Sequence, residues 1–218
     1  MAHNHHTTTG PVHDQGVIKS NIQRDLDGAW TFFGKGVQPP SYLGYVPTLK
    51  VEAKNNGHII LGVVATRETK MWPLEYYGEL THLLKEKYPD KKILIPLGPG
   101  DKKIEETLSG KISDNATFLK TGLDELPTQL AGASLYIGND TGLKHICVAL
   151  GVPTYTLFGP EPPTEWHPYD ESLHPFYFRT PLECRTRDAH YCALKSCQSM
   201  ICLNELKPPN LLEHIKEI

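Results

Sequence analysis

From Asn56-Gly57 to Phe158 the chain repeats one unit, a short apolar run, a turn and a segment with helical spacing. HIILGVV over 58–64 reads as a first strand, and Pro73 to Tyr88 as a helix with Leu74, Tyr77, Leu80, Leu83 and Leu84 on one face. Strands follow at Lys92–Leu97, Ala116–Leu119, Ser134–Ile137 and Pro153–Phe158, alternating with helices at about Lys103–Leu108, Asp124–Ala131 and Thr141–Leu150. Strict strand–helix alternation favours a parallel sheet covered by helices on both faces, because parallel neighbours need a crossover connection. The expected fold is therefore α/β, a Rossmann-like doubly wound sheet, with any ligand site just beyond the carboxyl ends of the strands.

The flanks are organised differently. Residues 1–20 are polar and rich in His and Thr, without an apolar core, so they read as a disordered leader and not a secretory signal. A cytoplasmic location is the resulting expectation. From Asn21 to Phe33, Ile22, Leu26, Trp30 and Phe33 recur at helical spacing up to Gly34, and a Gly/Pro-rich connector follows. Residues 21–57 thus read as a helix with an interdomain-type linker, and 58–218 as the main domain. Beyond Gly159 the sequence is loop-rich, with Pro160, Pro162, Pro163 and Pro168, until a final helix from about Pro209 to Ile218. At 218 residues the chain has room for one generous domain with an extension.

Charge narrows the partners. A formal net charge of −3 gives no footprint for nonspecific nucleic-acid binding. No apolar run approaches the roughly 20 residues a spanning helix needs, which leaves at most peripheral membrane contact.

The stretch IGNDTGLKHICVALGVPTYTLFGPEPPTEW, residues 137–166, carries the chemistry. A strand ends at Gly138, and Asn139, Asp140, Thr141 and Gly142 turn into a helix whose first N–H groups, with the Thr141 hydroxyl, can seat a diphosphate. Gly142 lets an anion approach closely, and His145 shares a helix face with Thr141. A capping Asp or Thr beside a structural glycine produces the same four residues, and the turn taken alone favours that reading. Phe158-Gly159-Pro160 ends the next strand at the same sheet edge and brings a second loop alongside.

With that loop included, IGNDTGLKHICVALGVPTYTLFGPEPPTEWHPY resembles the donor-domain signature of glycosyltransferase family nine, the ADP-heptose:lipopolysaccharide heptosyltransferases. The family pattern is a G-N/D-D-T/S-G-x-x-H turn, a G-x-P strand, F-G-P-T-x-P and a W-G-P-like stretch. Here Glu161 stands at the usual Thr and His167 at the usual Gly, beside Trp166 and Pro168. VVATRETKMWPLEYYGEL, residues 63–80, resembles the family's T-x-x-x-K-x-W-P loop and helix. By matching position, Thr66 hydrogen-bonds a phosphate oxygen, Lys70 neutralises the leaving diphosphate, and Trp72-Pro73 starts the helix. Read without the resemblance, Lys70 is equally a solvated surface lysine. Gly100-Asp101 occupies a loop where the family often has a nucleoside-binding carboxylate; Asp101 reads as a helix N-cap instead. TGLDELPTQLAGA resembles, less closely, the segment against the nucleotide base.

The resemblance implies the C-terminal half of a GT-B glycosyltransferase. In it Thr66, Lys70, Asp140, Thr141, Gly142 and His145 hold a nucleotide-diphosphate sugar, ADP-heptose by resemblance, for inverting transfer to a lipopolysaccharide-type acceptor. His145 either hydrogen-bonds the diphosphate or orients the sugar. No cofactor is required in principle, although Asp140 beside a diphosphate leaves a magnesium ion open. The family's other half, which holds the acceptor and supplies the carboxylate base, has no counterpart in the sequence read, so a separate acceptor-binding domain or chain is the expected partner. A noncatalytic nucleotide-sugar-binding module is the alternative.

Five cysteines remain: Cys147 inside the signature helix, read as core, and Cys184, Cys192, Cys197 and Cys202 clustered downstream. Four thiolates can close a tetrahedral metal shell, but the spacings lack a C-x-x-C knuckle. No metal is assigned, and separately buried or free thiols, a disulfide pair and a metal stay open.

Overall fold

Apolar runs flanked by turns become strands only where a sheet buries them, and all five expected strands form: β1 (Ile59–Gly62), β2 (Ile93–Leu97), β3 (Ala116–Lys120), β4 (Leu135–Asn139) and β5 (Thr154–Phe158). The computed structural model describes residues 20–33, 48–184 and 196–215. The expected leader up to residue 19, most of the connector, Cys192 and the end of the last helix lie outside them. A sixth strand, β6 (Phe176–Phe178), lies in the stretch expected to be loop. All neighbours are parallel, in the order β3-β2-β1-β4-β5-β6. The order reverses between β1 and β4, and there the crossovers leave a crevice at the strand ends.

The helices match the expected periodicity with trimmed ends: α1 (Asn21–Phe32), α2 (Leu74–Lys87), α3 (Lys102–Leu108), α4 (Leu126–Leu130) and α5 (Gly142–Ala149). Three elements were not expected as helices or differ at their bounds. α6 (Pro163–Trp166) and α7 (Ile201–Asn204) are single turns, too short to show a period, and α8 starts at Pro208 and runs to His214.

Side-chain alternation divides the core in two. Ile59, Leu61, Ile93, Ile95, Ile137 and Leu157 point to one face and pack against Tyr77, Leu80 and Leu84 of α2, Leu108 of α3, and Leu203, Leu206 and Leu211 near the carboxyl end. Ile60 and Tyr136 point to the other, under Leu126 and Leu130 of α4 and Cys147 of α5. Burying both faces is what makes the central strands β1 and β2 nearly continuous apolar runs.

The end of the connector is stitched to the second face. Leu49 N–H donates to Ala149 O at 2.6 Å, Lys54 N–H to Thr128 O at 2.9 Å and Gly57 N–H to Gly132 O at 2.8 Å. Among the described residues no helix is long and apolar enough to cross a membrane.

Candidate functional site

At the switch point two glycines face each other, Gly62 of β1 against Gly138 of β4. A Cβ on Gly138 would lie 2.5–2.8 Å from the Gly62 backbone, and one on Gly62 would run into the Tyr136 ring. Side chains are therefore excluded where the strands end, and the loops that follow come close together.

Asn139 fixes that approach. Its Oδ1 accepts from Trp72 N–H at 2.9 Å and Tyr77 Oη–H at 3.0 Å, and its Nδ2 donates to Val63 O at 2.9 Å. Fully buried, it ties both ends of the β1–α2 loop to the tip of β4. Trp72 is fully buried and donates from Nε1 to Leu206 O at 2.9 Å, edge-on to Tyr76 and Tyr77. Pro73 precedes the first turn of α2, so Trp72-Pro73 starts that helix as the motif implied.

Between these anchors a 3₁₀ turn over Glu68–Lys70 raises Lys70 toward the β4–α5 turn. Lys70 Nζ is 3.0 Å from Asp140 Oδ2, and Lys144 Nζ, one turn into α5, is 2.6 Å from Oδ1. Lys70 is therefore no solvated surface lysine: its side chain is only 14% exposed. Asp140 is nearly buried. Burial alone would push its carboxyl up, but the two ammonium groups, Lys144 foremost, outweigh that and hold it below the usual carboxylate range. Lys144 is wholly buried and moves the opposite way, lowered to about 8, because burial outweighs the attraction of Asp140. The carboxylate has two cations and the buried cation only one anion.

Helix α5 begins at Gly142, and Thr141, extended at the N-cap, makes no capping bond from its side chain. The first N–H groups of α5 are thus left to another acceptor. Around Gly142 a Cβ would meet nothing within 4 Å, so the space beside the first residue of the helix is open. Of the expected site residues, the structure brings Lys70 to Asp140, at the turn that continues into Thr141 and Gly142. Thr66 lies in the same β1–α2 loop and is exposed. His145 follows a turn later, but its Nδ1 sits 2.5 Å from Tyr169 Oη, and burial, then the nearby Lys144 cation, keeps it neutral with a pKa lowered to about 3.

The third wall is the loop after β5. Glu161, buried, pairs with Arg67, so the two residues that flank Lys70 and Gly159 are joined across the crevice. Lys144 also donates to Trp166 O at 2.9 Å and lies 4.9 Å from the Phe158 ring centre, while Lys70 Nζ is 5.8 Å from that of Trp166. Trp166 Nε1 is buried without a hydrogen-bond partner among the described residues, a donor left over beside Lys70. His167 accepts no proton easily: burial first, then Lys144, lowers it to about 3, while its Nε2 meets His174 O at 2.6 Å.

Other expectations need correction or fall elsewhere. Asp101 stands at the start of α3, but its carboxylate accepts from Gly98 N–H at 2.7 Å and caps no N–H of the helix. Its reach is taken by the turn just before it. Cys147 is buried core, while Cys184 is exposed and Cys197 and Cys202 are partly so. Among the described residues no group of three His, Cys, Asp or Glu side chains could hold a metal ion. Sequence reasoning missed Lys144, the anchoring bonds of Asn139 and the Arg67–Glu161 pair. For Lys144 a signal existed: position i+4 from Asp140 places a lysine over that carboxylate.

Comparison with known proteins agrees with the geometry. The sequence model of glycosyltransferase family 9 (heptosyltransferase) matches residues 38–194. Lipopolysaccharide heptosyltransferase 1 of Escherichia coli (strain K12) is 34% identical over 102 residues, 45% of this chain and 30% of that protein. The solved structure of E. coli heptosyltransferase WaaC with ADP has 29% sequence identity and a TM-score of 0.50, covering 56% of this chain and 38% of that one. The WaaC structure with ADP-2-deoxy-2-fluoro heptose matches with a TM-score of 0.54 at 24% identity, over 74% of this chain and 44% of that one. The chain thus spans under half the length of these relatives.

Proposed function

Because the chain belongs to glycosyltransferase family 9, we propose that residues 58–218 are a donor-binding domain that holds a nucleotide-diphosphate sugar, ADP-heptose above others, for transfer to a lipopolysaccharide-type acceptor. One observation carries the reading. At the switch point of the sheet, the Lys70 ammonium and the uncapped start of α5 meet across an open space. Cations and helix N–H groups together are the chemistry of a diphosphate seat. The presence of ADP in the WaaC complex supports adenine as the base.

In the proposed reaction an acceptor hydroxyl attacks the anomeric carbon, the bond from that carbon to the diphosphate oxygen breaks, and the configuration inverts. The leaving diphosphate gains negative charge as the bond breaks. Lys70 and the N–H groups of Gly142 and its neighbour stabilise that charge more than the ground state, which is how they accelerate the step. Thr66 adds a hydroxyl donor to a phosphate oxygen, and Thr141 another. His145, neutral and held by Tyr169, orients the sugar and takes no proton in the reaction. The acceptor's proton goes to a carboxylate base that we assign to a separate acceptor-binding domain or chain. Each Asp140 oxygen already accepts from an ammonium, so in this reading the lysines and not a metal ion supply the positive charge beside the diphosphate.

Calorimetric titration with ADP, ADP-heptose, UDP and UDP-glucose tests the reading. Binding confined to the ADP-linked ligands, and weakened about tenfold or more by Lys70→Ala, is expected. Equal binding of UDP ligands would refute the donor assignment, and no nucleotide binding would leave the family signature without its function.

A further inference from the structure

Among the described residues Lys144 is the largest charged side chain with no exposure at all, and the proposed reaction does not use it. Its ammonium has three protons to place. It donates to Asp140 Oδ1 at 2.6 Å and to Trp166 O at 2.9 Å, and what remains faces the rings of Phe158 at 4.9 Å and Tyr169 at 5.9 Å. A hydrophobic residue of that length would fill the same space without the cost of burying a charge, so the fold alone gives no reason for a lysine.

The reason lies in Asp140. Its other oxygen is bound by Lys70, the cation that the donor-site reading sets against the diphosphate. With Lys70 and Asp140 alone, the pair is neutral and a diphosphate meets a carboxylate beside its only cation. With Lys144 included, the chain Lys70–Asp140–Lys144 carries one net positive charge. We infer that Lys144 is a positioning residue of the donor site: it cancels the charge of Asp140 from below, so that Asp140 can hold Lys70 in place while Lys70 keeps its full positive charge for a diphosphate. Through the Trp166 carbonyl it also fastens the loop after β5 to the diphosphate turn. The inference rests on the donor-site reading above and deepens it.

Charge arithmetic gives a test that a purely structural role would fail. Lys144→Met removes the buried cation, leaves Lys70–Asp140 neutral and is expected to weaken ADP binding by about ten- to a hundredfold, with far-ultraviolet circular dichroism unchanged. The double variant Asp140→Asn/Lys144→Met restores one net positive charge at Lys70, and its ADP affinity is expected to return to within several-fold of the unaltered chain. Lys144→Gln, which keeps a donor for the Trp166 carbonyl, carries the same expected loss and serves if the methionine variant does not fold. ADP binding by Lys144→Met or Lys144→Gln equal to that of the unaltered chain would overturn the inference and leave the donor site standing. So would a double variant no better than the single one, which would make Lys144 a packing residue. An unaltered chain that does not bind ADP would overturn both readings.

Discussion

Two glycines only four residues apart are expected to fail in opposite ways when each becomes alanine. At Gly138 the new methyl would lie 2.5 Å from Gly62 O, 2.6 Å from Gly62 Cα and 2.8 Å from Gly62 N. Those are backbone atoms of a central strand and cannot rotate aside, so β1 and β4 must separate. Overpacking of this kind costs about 2–3 kcal/mol. For a domain of this size each kcal/mol moves Tm by roughly 2–4 °C, which gives a drop of about 4–12 °C. At Gly142 a Cβ meets nothing within 4 Å, and the residue opens a helix. Stability is therefore expected to hold, or to rise by up to about 1 kcal/mol from helix propensity. The methyl would instead occupy the space where a phosphate oxygen approaches the first N–H groups. Loss of one charge-assisted hydrogen bond, about 1.5–3 kcal/mol, corresponds to about 10–150-fold in ADP affinity. Scanning calorimetry and ADP titration of both variants read the two effects separately. Unchanged ADP affinity in Gly142→Ala would refute an anion seat at α5, and an unshifted Tm in Gly138→Ala would refute the close contact of β1 with β4.

Further perturbations follow from the same geometry. Asn139→Ala leaves the Trp72 N–H and the Val63 carbonyl buried without partners, and urea unfolding should show a loss of about 3 kcal/mol or more; a loss under 1 kcal/mol would mean that the loop is held otherwise. Arg67→Ala strands the buried Glu161 carboxylate and should destabilise the chain, whereas adding Glu161→Gln should recover most of the loss; a double variant as unstable as the single one would contradict the pairing. Acidification should be costly because His167 resists protonation until about pH 3 when folded, against 6.5 unfolded. The unfolded chain then binds more protons between those values, so stability falls as pH drops, by about 2 kcal/mol from this residue between pH 7 and pH 5. Urea unfolding of the unaltered chain and of His167→Gln at both pH values checks it: equal pH slopes would remove His167 from the account.

Strand–helix alternation made the sheet legible, since β1, β2, β4 and β5 are buried on both faces, only the edge strand β3 is partly exposed, and no other element order explains five such runs. The switch point followed only from the structure, because strand order is not written in local pattern. Beyond Gly159 the sequence looked like loop. β6, α6 and α7 are each three or four residues long, and they hold their shape by packing against β5 and the core and not by a period of their own. Site residues divided along similar lines. Asp140, Thr141, Gly142 and Lys70 stood out through the motif and its resemblance to the family. Lys144 did not, because a lysine in an amphipathic helix is ordinarily solvent-facing, and only the fold shows that this one lies under Asp140 with no exposure. Asp101 shows the reverse limit: its position suits an N-cap, but the preceding turn offers the Gly98 N–H nearer at hand.

In the proposed donor site a nucleotide diphosphate rests between Lys70 and the start of α5. A crystal structure of the chain with ADP tests it most directly. Phosphate oxygens are expected within hydrogen-bonding distance of Lys70 Nζ and of the Gly142 N–H, with Asp140 still bridging Lys70 and Lys144. ADP bound elsewhere on the sheet, or phosphates that leave Lys70 and Gly142 untouched, would contradict it.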